Sequence, residues 1–270
     1  MSESAVADLR GGLGRAFGGA LIFSLPVLMT MEMWDMGFAM ERWRMVVLML
    51  ASVPLLMFLS HYSGFEDTWD WREDARDVAI AYAVGMLTSA AVLGLIGVLH
   101  TDMGFSEFVG KIVVQTIPGA LGALLGRSQF GKGGKESGKE DRMLSELGVM
   151  TVGALFLSLN IAPTEEMVLI SYKMTDWHTV ILMPATLLIM HGFVYATEFT
   201  PNSGLPPGTP WWSAFLRFSV TGYALSLAVA CYLLWTFGHL DGLGWSEALR
   251  VCVVLGLPAA IGAAAARLIL

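Results

Sequence analysis

Cysteine and charge are both scarce in this chain of 270 residues. Its two cysteines, Cys231 and Cys252, each lie inside an apolar run, so we expect them to pack in the core rather than to form a disulfide framework or a metal site. Charged residues make up 14% of the chain, whereas soluble domains average about 25%. No basic tract indicates a nucleic-acid partner. The composition therefore disfavours both a soluble globular protein and a nucleic-acid-binding protein.

The motifs of familiar enzymes are also missing. The sequence contains no hydrolase nucleophile elbow, P-loop, dinucleotide fingerprint, zinc-protease helix or haem-ligating pair. We therefore expect neither catalysis nor a cofactor. Met29, Met33, Met36 and Met40 form a stripe at helical spacing whose thioethers could hold a soft metal ion, but methionine serves far more often as flexible packing. The stripe leaves the question of a bound metal open.

Apolar sequence, in contrast, is abundant. Hydrophobic residues make up 55% of the chain and the mean hydropathy is +0.63, so we predict an all-α polytopic membrane protein embedded in the lipid bilayer. A sliding window of about 19 residues finds eight apolar segments, each a candidate transmembrane helix. They cover residues 16–38, 44–62, 78–99, 107–126, 147–171, 178–197, 214–237 and 246–270. The polar stretch 1–14 precedes them without a cleavage motif, which predicts a retained cytoplasmic tail.

A polar, glycine-rich stretch at residues 131–142 divides the chain near its middle. The two sides resemble each other when residue n is placed over residue n + 134, and then over n + 141 and n + 140 after insertions in the second half. The shifts align Gly19, Thr30, Glu32, Trp43, Tyr82, Gly97, Glu107 and Gly122 with Gly153, Thr164, Glu166, Trp177, Tyr223, Gly238, Glu247 and Gly262. We therefore predict a first four-helix repeat at 1–127, a cytoplasmic linker at 128–146 and a second four-helix repeat at 147–270.

Because four is an even number of spans, both repeats enter the membrane from the same side and must be parallel. The basic residues support an even total. Eleven lysines and arginines fall on the side of the termini and the linker, and five fall on the other side. The positive-inside rule therefore places the N- and C-termini in the cytoplasm.

The fifth segment contains an acidic stretch where a membrane span would be apolar. Residues 160–167 read Asn-Ile-Ala-Pro-Thr-Glu-Glu-Met, and Pro163 is expected to break the helix. Glu166 aligns with Glu32 of the first segment, where Pro26 precedes the acid. Buried carboxylates at a helix break are typical of an ion or proton site, so we predict that the glutamates meet near the axis between the repeats. The predicted ligands are Glu32, Glu165 and Glu166, together with Thr30, Thr164 and Asn160.

A simpler interpretation of the same stretch remains open. Glu165 and Glu166 could lie at the level of the outer headgroups and cap a short second half-helix, because helix N-termini favour acidic residues. The two interpretations differ in where the carboxylates point.

A polar stripe follows one face of the sixth segment. His191, Tyr195 and Glu198 are spaced i, i+4 and i+7, as on one side of a helix. The stripe could relay protons from the glutamates to the cytoplasm, since histidine titrates nearest to physiological pH. Alternatively, His191 only hydrogen-bonds between helices and Glu198 already lies at the headgroups.

Small residues are concentrated in the fourth and eighth segments. Residues 118–122 and 258–266 consist almost entirely of glycine, alanine and proline. Such runs allow helices to approach closely in a membrane. We expect them to form the contact between the two halves, or between the subunits of a homo-oligomer.

Four motifs stand out within this pattern. They are Thr30-Met31-Glu32-Met33-Trp34, Trp71-Arg72-Glu73-Asp74, Ala162-Pro163-Thr164-Glu165-Glu166-Met167-Val168-Leu169-Ile170 and His191-Gly192-Phe193-Val194-Tyr195. In these motifs, and over about the whole chain, the sequence resembles a family of bacterial integral membrane proteins of unknown function, of the rhizobial and cyanobacterial type. The resemblance implies a multi-pass protein of the bacterial inner membrane, but it implies no activity.

Three functions are consistent with these observations. The leading hypothesis is a cation-conducting protein, either a proton-coupled transporter or a channel, that uses the paired glutamates. The second is a membrane sensor or assembly subunit without transport, in which the carboxylates only hold the helix bundle together. The third is an intramembrane enzyme acting on lipid, with Glu165 or Glu166 as general base and His191 assisting.

Overall fold

A computed structural model of the chain describes residues 3–63, 71–129, 139–196, 212 and 215–269. Every regular element in those residues is a helix, which confirms the all-α class. The chain forms two compact units, unit 1 at Met1–Gly138 and unit 2 at Lys139–Leu270. Much of the acidic loop before the third predicted span, the centre of the linker and the proline-rich loop at 200–210 lie outside the described residues.

The described residues of unit 1 form five helices. They are α1 (Glu3–Leu28), α2 (Met31–Ala39), α3 (Arg42–Ser63), α4 (Trp71–Leu95) and α5 (Phe105–Gln129). Helix α5 is the centre of the unit, because α1, α2, α3 and α4 all pack against it. Its central position explains why α5 is rich in small residues, since each neighbour needs space to approach.

Close backbone contacts hold these helices on α5. A Cβ atom added to Gly19 of α1 would lie 2.6 Å from the Cα of Gly126, and one added to Gly37 of α2 would lie 2.5 Å from the Cα of Lys111. Likewise, a Cβ at Gly85 of α4 would lie 2.6 Å from the carbonyl oxygen of Thr116. Any larger residue at these three positions would push a helix away from α5.

Unit 2 follows the same order of elements around its last helix. It contains α6 (Lys139–Ile161), α7 (Glu166–Lys173), α8 (Asp176–Ala196), a π-helical turn (Phe215–Val220), α9 (Thr221–Thr236) and α10 (Trp245–Ile269). Helices α6, α7, α8 and α9 all contact α10. Gly153 of α6 and Gly262 of α10 meet backbone to backbone, so a Cβ on Gly262 would lie 2.9 Å from the carbonyl carbon of Gly153.

Six helices in the described residues are long and apolar enough to cross a membrane: α1, α3, α4, α5, α9 and α10. Helices α6 and α7 together form a bent pair that counts as a seventh span if it is a single broken one. The sixth predicted span, 178–197, corresponds to α8, which has 21 residues but is not among the candidate spans of the described residues. The structure thus supports a multi-pass protein with six to seven candidate spans.

Two predicted boundaries differ from the structure. The first predicted span, 16–38, is divided into α1 and α2 by a break at Met29 and Thr30. The predicted linker at 128–146 is shorter than expected, because α5 continues to Gln129 and α6 already begins at Lys139. Residues 139–146 are mostly polar, which predicts a linker. A membrane-spanning helix can nevertheless extend beyond the membrane interface into water, where polar residues are favourable.

Candidate functional site

The break in unit 2 is a defined turn between α6 and α7. Helix α6 ends at Ile161, Pro163 lies within the turn, and α7 leaves at 88° to α6. Both the backbone N–H and the Oγ1 hydroxyl of Thr164 donate to the carbonyl oxygen of Ile161, at 3.0 and 2.7 Å. The N–H of Ala162 donates to Ser158 at 2.6 Å. These hydrogen bonds satisfy carbonyls that the end of a helix would otherwise leave unpaired.

A histidine from elsewhere in unit 2 completes this turn. The Nε2 atom of His239 lies 3.2 Å from the carbonyl oxygen of Pro163. Since a carbonyl only accepts, the histidine nitrogen is the donor. His239 lies between α9 and α10, 76 residues along the chain from Pro163. His239 could not be predicted as part of the site, because no local sequence pattern indicates a contact between residues 76 positions apart.

The two acidic residues of this stretch lie on the outside of unit 2. Glu165 and Glu166 are both exposed, whereas Met167 and Ser171 form the buried side of α7. Glu166 is the first residue of α7, where the partial positive charge of the helix N-terminus favours a carboxylate. The structure thus brings Pro163, Thr164, Glu165 and Glu166 together at one turn.

Asn160 lies in the last turn of α6, next to this site. Its Nδ2 group donates to the carbonyl oxygen of Phe156 at 2.5 Å. Its Oδ1 atom is buried and has no hydrogen-bond partner among the described residues. The amide therefore keeps one unused acceptor, which suits a cation or a hydrogen-bond donor.

Unit 1 has an equivalent break between α1 and α2. Pro26 lies within α1, and the helix continues for two more residues, to Leu28. The Oγ1 atom of Thr30 donates to the carbonyl oxygen of Pro26 at 2.8 Å, and the indole N–H of Trp34 donates to Leu28 at 2.7 Å. Glu32 is half-buried in the first turn of α2. The break thus falls after the proline instead of at it.

The C-terminal ends of both short helices receive an arginine. Arg42 donates from Nη1 to the carbonyl oxygen of Gly37, near the end of α2, at 2.9 Å. Arg250 of α10 donates from Nη1 to Met174, the residue after α7, at 3.5 Å. A guanidinium at this end satisfies free carbonyls and opposes the negative end of the helix dipole. In the sequence, nothing distinguishes Arg42 or Arg250 from other basic residues that flank a span.

Of the three predicted relay residues, the structure describes the contacts of His191. Its Nδ1 atom lies 2.9 Å from the hydroxyl oxygen of Ser219, and its ring meets Phe215 edge-on at 5.0 Å. Both partners belong to the π-helical turn, a type of turn often found at functional sites. Tyr195 lies in α8, and Glu198 lies outside the described residues. The relay therefore stays a prediction.

Glu32 belongs to unit 1 and the other two glutamates belong to unit 2. Their convergence on a common axis stays a prediction. No group of three or more histidine, cysteine, aspartate or glutamate residues in the described part of the chain is placed to hold a metal ion. Both cysteines are free thiols, Cys231 half-buried in α9 and Cys252 buried in α10.

Comparison with known proteins supports one relationship. A family model described as "Putative integral membrane protein (DUF2391)" matches residues 12–270. No curated protein matches the chain, and neither does any solved structure.

Proposed function

Because the chain belongs to this family of integral membrane proteins, we propose that it moves a small cation or a proton across the membrane. The ion-binding groups in this proposal are the carboxylates of Glu32, Glu165 and Glu166. In each unit, a long apolar helix ends in a break, and a short helix with a glutamate in its first turn follows. Discontinuous helices of this kind build the substrate and ion sites of many transporters.

The observation that carries the proposal concerns the neutral residues beside the carboxylates. Thr30, Thr164 and Asn160 each donate a hydrogen bond to a carbonyl oxygen near the end of the preceding helix. The hydroxyl of Thr30 has then used its only proton and can still accept, whereas the hydroxyl proton of Thr164 is shared between Ile161 and the carboxylate of Glu166. Acceptor oxygens next to carboxylates suit a hard cation or a proton and would repel an anion.

The proposal includes eight spans, arranged as two parallel repeats with both termini in the cytoplasm. Matching backbone details at aligned positions support it. The N–H of Val98 donates to the carbonyl oxygen of Leu93 at 2.9 Å, and the N–H of His239 donates to that of Leu234 at the same distance. The shift of 141 residues aligns the two donors with each other and the two acceptors with each other. The glycine preceding each of these donors, Gly97 or Gly238, has a positive φ, at 77° and 84° respectively.

The same proposal assigns the protein to the bacterial inner membrane and gives it no enzymatic step. His191, Tyr195 and Glu198 are the proposed path between the glutamates and the cytoplasm. The hydrogen bond of His191 to Ser219 supports a role for the histidine in connecting α8 to the π-helical turn.

Flux measurements in proteoliposomes test this function. We expect the purified protein to move protons or monovalent cations, and we expect Glu32→Gln and Glu166→Gln to abolish that flux. Asp35→Asn is the matched control, because Asp35 is an exposed carboxylate on the same short helix as Glu32 and should not be needed. If both glutamine variants leave every cation and proton flux unchanged, the site assignment is wrong.

A second candidate is a membrane sensor or assembly subunit without transport. The surface of α7 favours it, because Leu169, Ile170 and Tyr172 are exposed together with the two glutamates. A partner helix could cover such a surface. This alternative predicts no flux in proteoliposomes, loss of stability in Glu166→Gln, and a stable partner that copurifies with the protein.

A further inference from the structure

Helix α5 of unit 1 carries a row of polar residues into the membrane. Glu107, Lys111 and Gln115 are spaced i, i+4 and i+8 and therefore lie on one face. The Nζ atom of Lys111 is 2.8 Å from Oε1 of Glu107. At about 1.5 Å per residue, Gln115 lies roughly 15 Å from the start of α5, which is half the thickness of a bilayer core of about 30 Å.

Gln115 is fully buried at this depth, with an exposed fraction of 0%. Neither the oxygen nor the nitrogen of its side-chain amide has a hydrogen-bond partner among the described residues. An amide in an apolar environment costs several kcal/mol unless it is hydrogen-bonded. Packing alone therefore does not account for glutamine at this position.

Helix α4 carries two buried hydroxyls at the level of Gln115, on Thr88 and Ser89. Ser89 donates from Oγ to the backbone carbonyl oxygen of Gln115 at 3.0 Å, which fixes α4 beside this residue. The preceding residue, Thr88, is only 3% exposed, and its hydroxyl has no partner among the described residues. The amide of Gln115 and the hydroxyl of Thr88 are thus both buried and unpaired among the described residues, at the same level of two packed helices.

Unit 2 has an acid, Glu247, at the position aligned with Glu107, but it is apolar at the other four aligned positions. The shifts of 140 and 141 residues place Val251, Leu255, Val229 and Ala230 over Lys111, Gln115, Thr88 and Ser89. All four residues in unit 2 are buried hydrophobic residues. Because an apolar core serves the same helices in unit 2, the polar residues of unit 1 require a reason other than folding.

We propose that Gln115 and Thr88 form an internal water-binding site, reached from the Phe105 end of α5 along Glu107 and Lys111. The amide offers donors and an acceptor and the hydroxyl offers both, which suits a small neutral ligand with the same capacities. Water is such a ligand, and buried water typically makes about three hydrogen bonds to buried polar groups. The pairing of Lys111 with Glu107 leaves no net charge to hold an ion.

One consequence rests on the proposed function. With Lys111 paired to Glu107, the approach to this site carries no net negative charge that would attract a metal cation. If the protein moves ions as proposed above, the species that uses this path is therefore the proton, carried by the bound water.

Cysteine labelling tests the site without relying on transport. We would compare Gln115→Cys with Leu255→Cys, its aligned and equally buried counterpart in unit 2, both in a background with Cys231→Ala and Cys252→Ala. The protein would be held in lipid nanodiscs, treated with 2-hydroxyethyl methanethiosulfonate and followed by intact-mass spectrometry. We expect the cysteine at position 115 to react at least about tenfold faster, because the reactive thiolate forms much more readily where water reaches the sulfur than in apolar surroundings.

A second pair, Thr88→Cys and Val229→Cys, covers the case in which Gln115→Cys does not fold. Equal rates within the folded pair would overturn the proposal. Preferential labelling in a protein that moves no ion would keep the water site and refute the proposed transport function. Ion flux without preferential labelling would keep transport and refute the water site.

Discussion

Two adjacent glycines in α1, Gly18 and Gly19, have opposite surroundings. A Cβ on Gly19 would collide with the backbone of α5, 2.6 Å from the Cα of Gly126, whereas a Cβ on Gly18 would meet nothing within 4 Å. In a membrane, helices pack through such close approaches because the bilayer provides no hydrophobic force between them. Gly19 therefore determines how near α1 comes to α5, and Gly18 does not.

We predict that Gly19→Ala destabilises the protein by about 1–3 kcal/mol, the usual cost of adding atoms to a well-packed contact. Gly18→Ala should be neutral or slightly stabilising, because alanine is the better helix former by about 1 kcal/mol. Thermal unfolding in detergent measures both variants. Equal stability of the two would show that α1 and α5 are not in backbone contact.

His239 is the residue that ties the α9–α10 connection to the break carrying Glu165 and Glu166. We predict that His239→Ala costs about 1 kcal/mol, the net value of one hydrogen bond. It should also speed hydrogen–deuterium exchange at residues 162–167, where the carbonyl of Pro163 loses its donor. His100→Ala is the control, since His100 is exposed in the connection between α4 and α5 of unit 1. Unchanged exchange at the break would contradict the prediction.

The short helices α2 and α7 cannot be stable by themselves. They contain 9 and 8 residues, fewer than the roughly 12 that an isolated helix needs. Each is held by two buried residues, Met33 and Gly37 in α2 and Met167 and Ser171 in α7. An arginine at the C-terminal end adds a charge-assisted hydrogen bond to each helix. The position of each glutamate thus depends on contacts made at the far end of its helix.

Arg42→Gln should therefore loosen α2 as a whole. We expect a loss of about 1–2 kcal/mol, because the variant gives up a charged hydrogen bond and a favourable interaction with the helix dipole. Hydrogen–deuterium exchange of residues 31–39 is the appropriate measurement. Arg10→Gln provides the control, as Arg10 is exposed on α1. If both variants exchange alike, Arg42 does not stabilise α2.

At this scale, the sequence predicts the elements better than their ends. The apolar segments and the break at Pro163 follow from composition and from the missing proline N–H. The break in unit 1 does not fall at Pro26, because a proline removes only the hydrogen bond to the carbonyl four residues earlier, and α1 continues to Leu28. The π-helical turn and the contact of His239 with Pro163 depend on tertiary packing, which local sequence patterns do not predict.

At the scale of the whole molecule, membrane topology is the open question, and exposed aromatic residues of unit 1 bear on it. In unit 1, Trp43 and Phe105 stand at the starts of α3 and α5, and Trp71 stands at the start of α4. Tryptophan is enriched at both membrane interfaces. The arrangement suits antiparallel neighbours, with α3 and α5 entering from one side and α4 from the other. An even number of such crossings returns the chain to the side on which it began.

Reporter fusions therefore test the complete topology. We predict that green fluorescent protein is fluorescent, and alkaline phosphatase inactive, at both the N-terminus and the C-terminus, because the positive-inside rule predicts that both lie in the cytoplasm with the larger share of lysine and arginine. Fusion after His100, between α4 and α5, should give the opposite result. Fusion after Thr200 tests α8, since a spanning α8 that follows a spanning α6–α7 pair places that site in the cytoplasm. Opposite results at the two termini would mean an odd number of spans, and the parallel four-helix repeats would then be impossible.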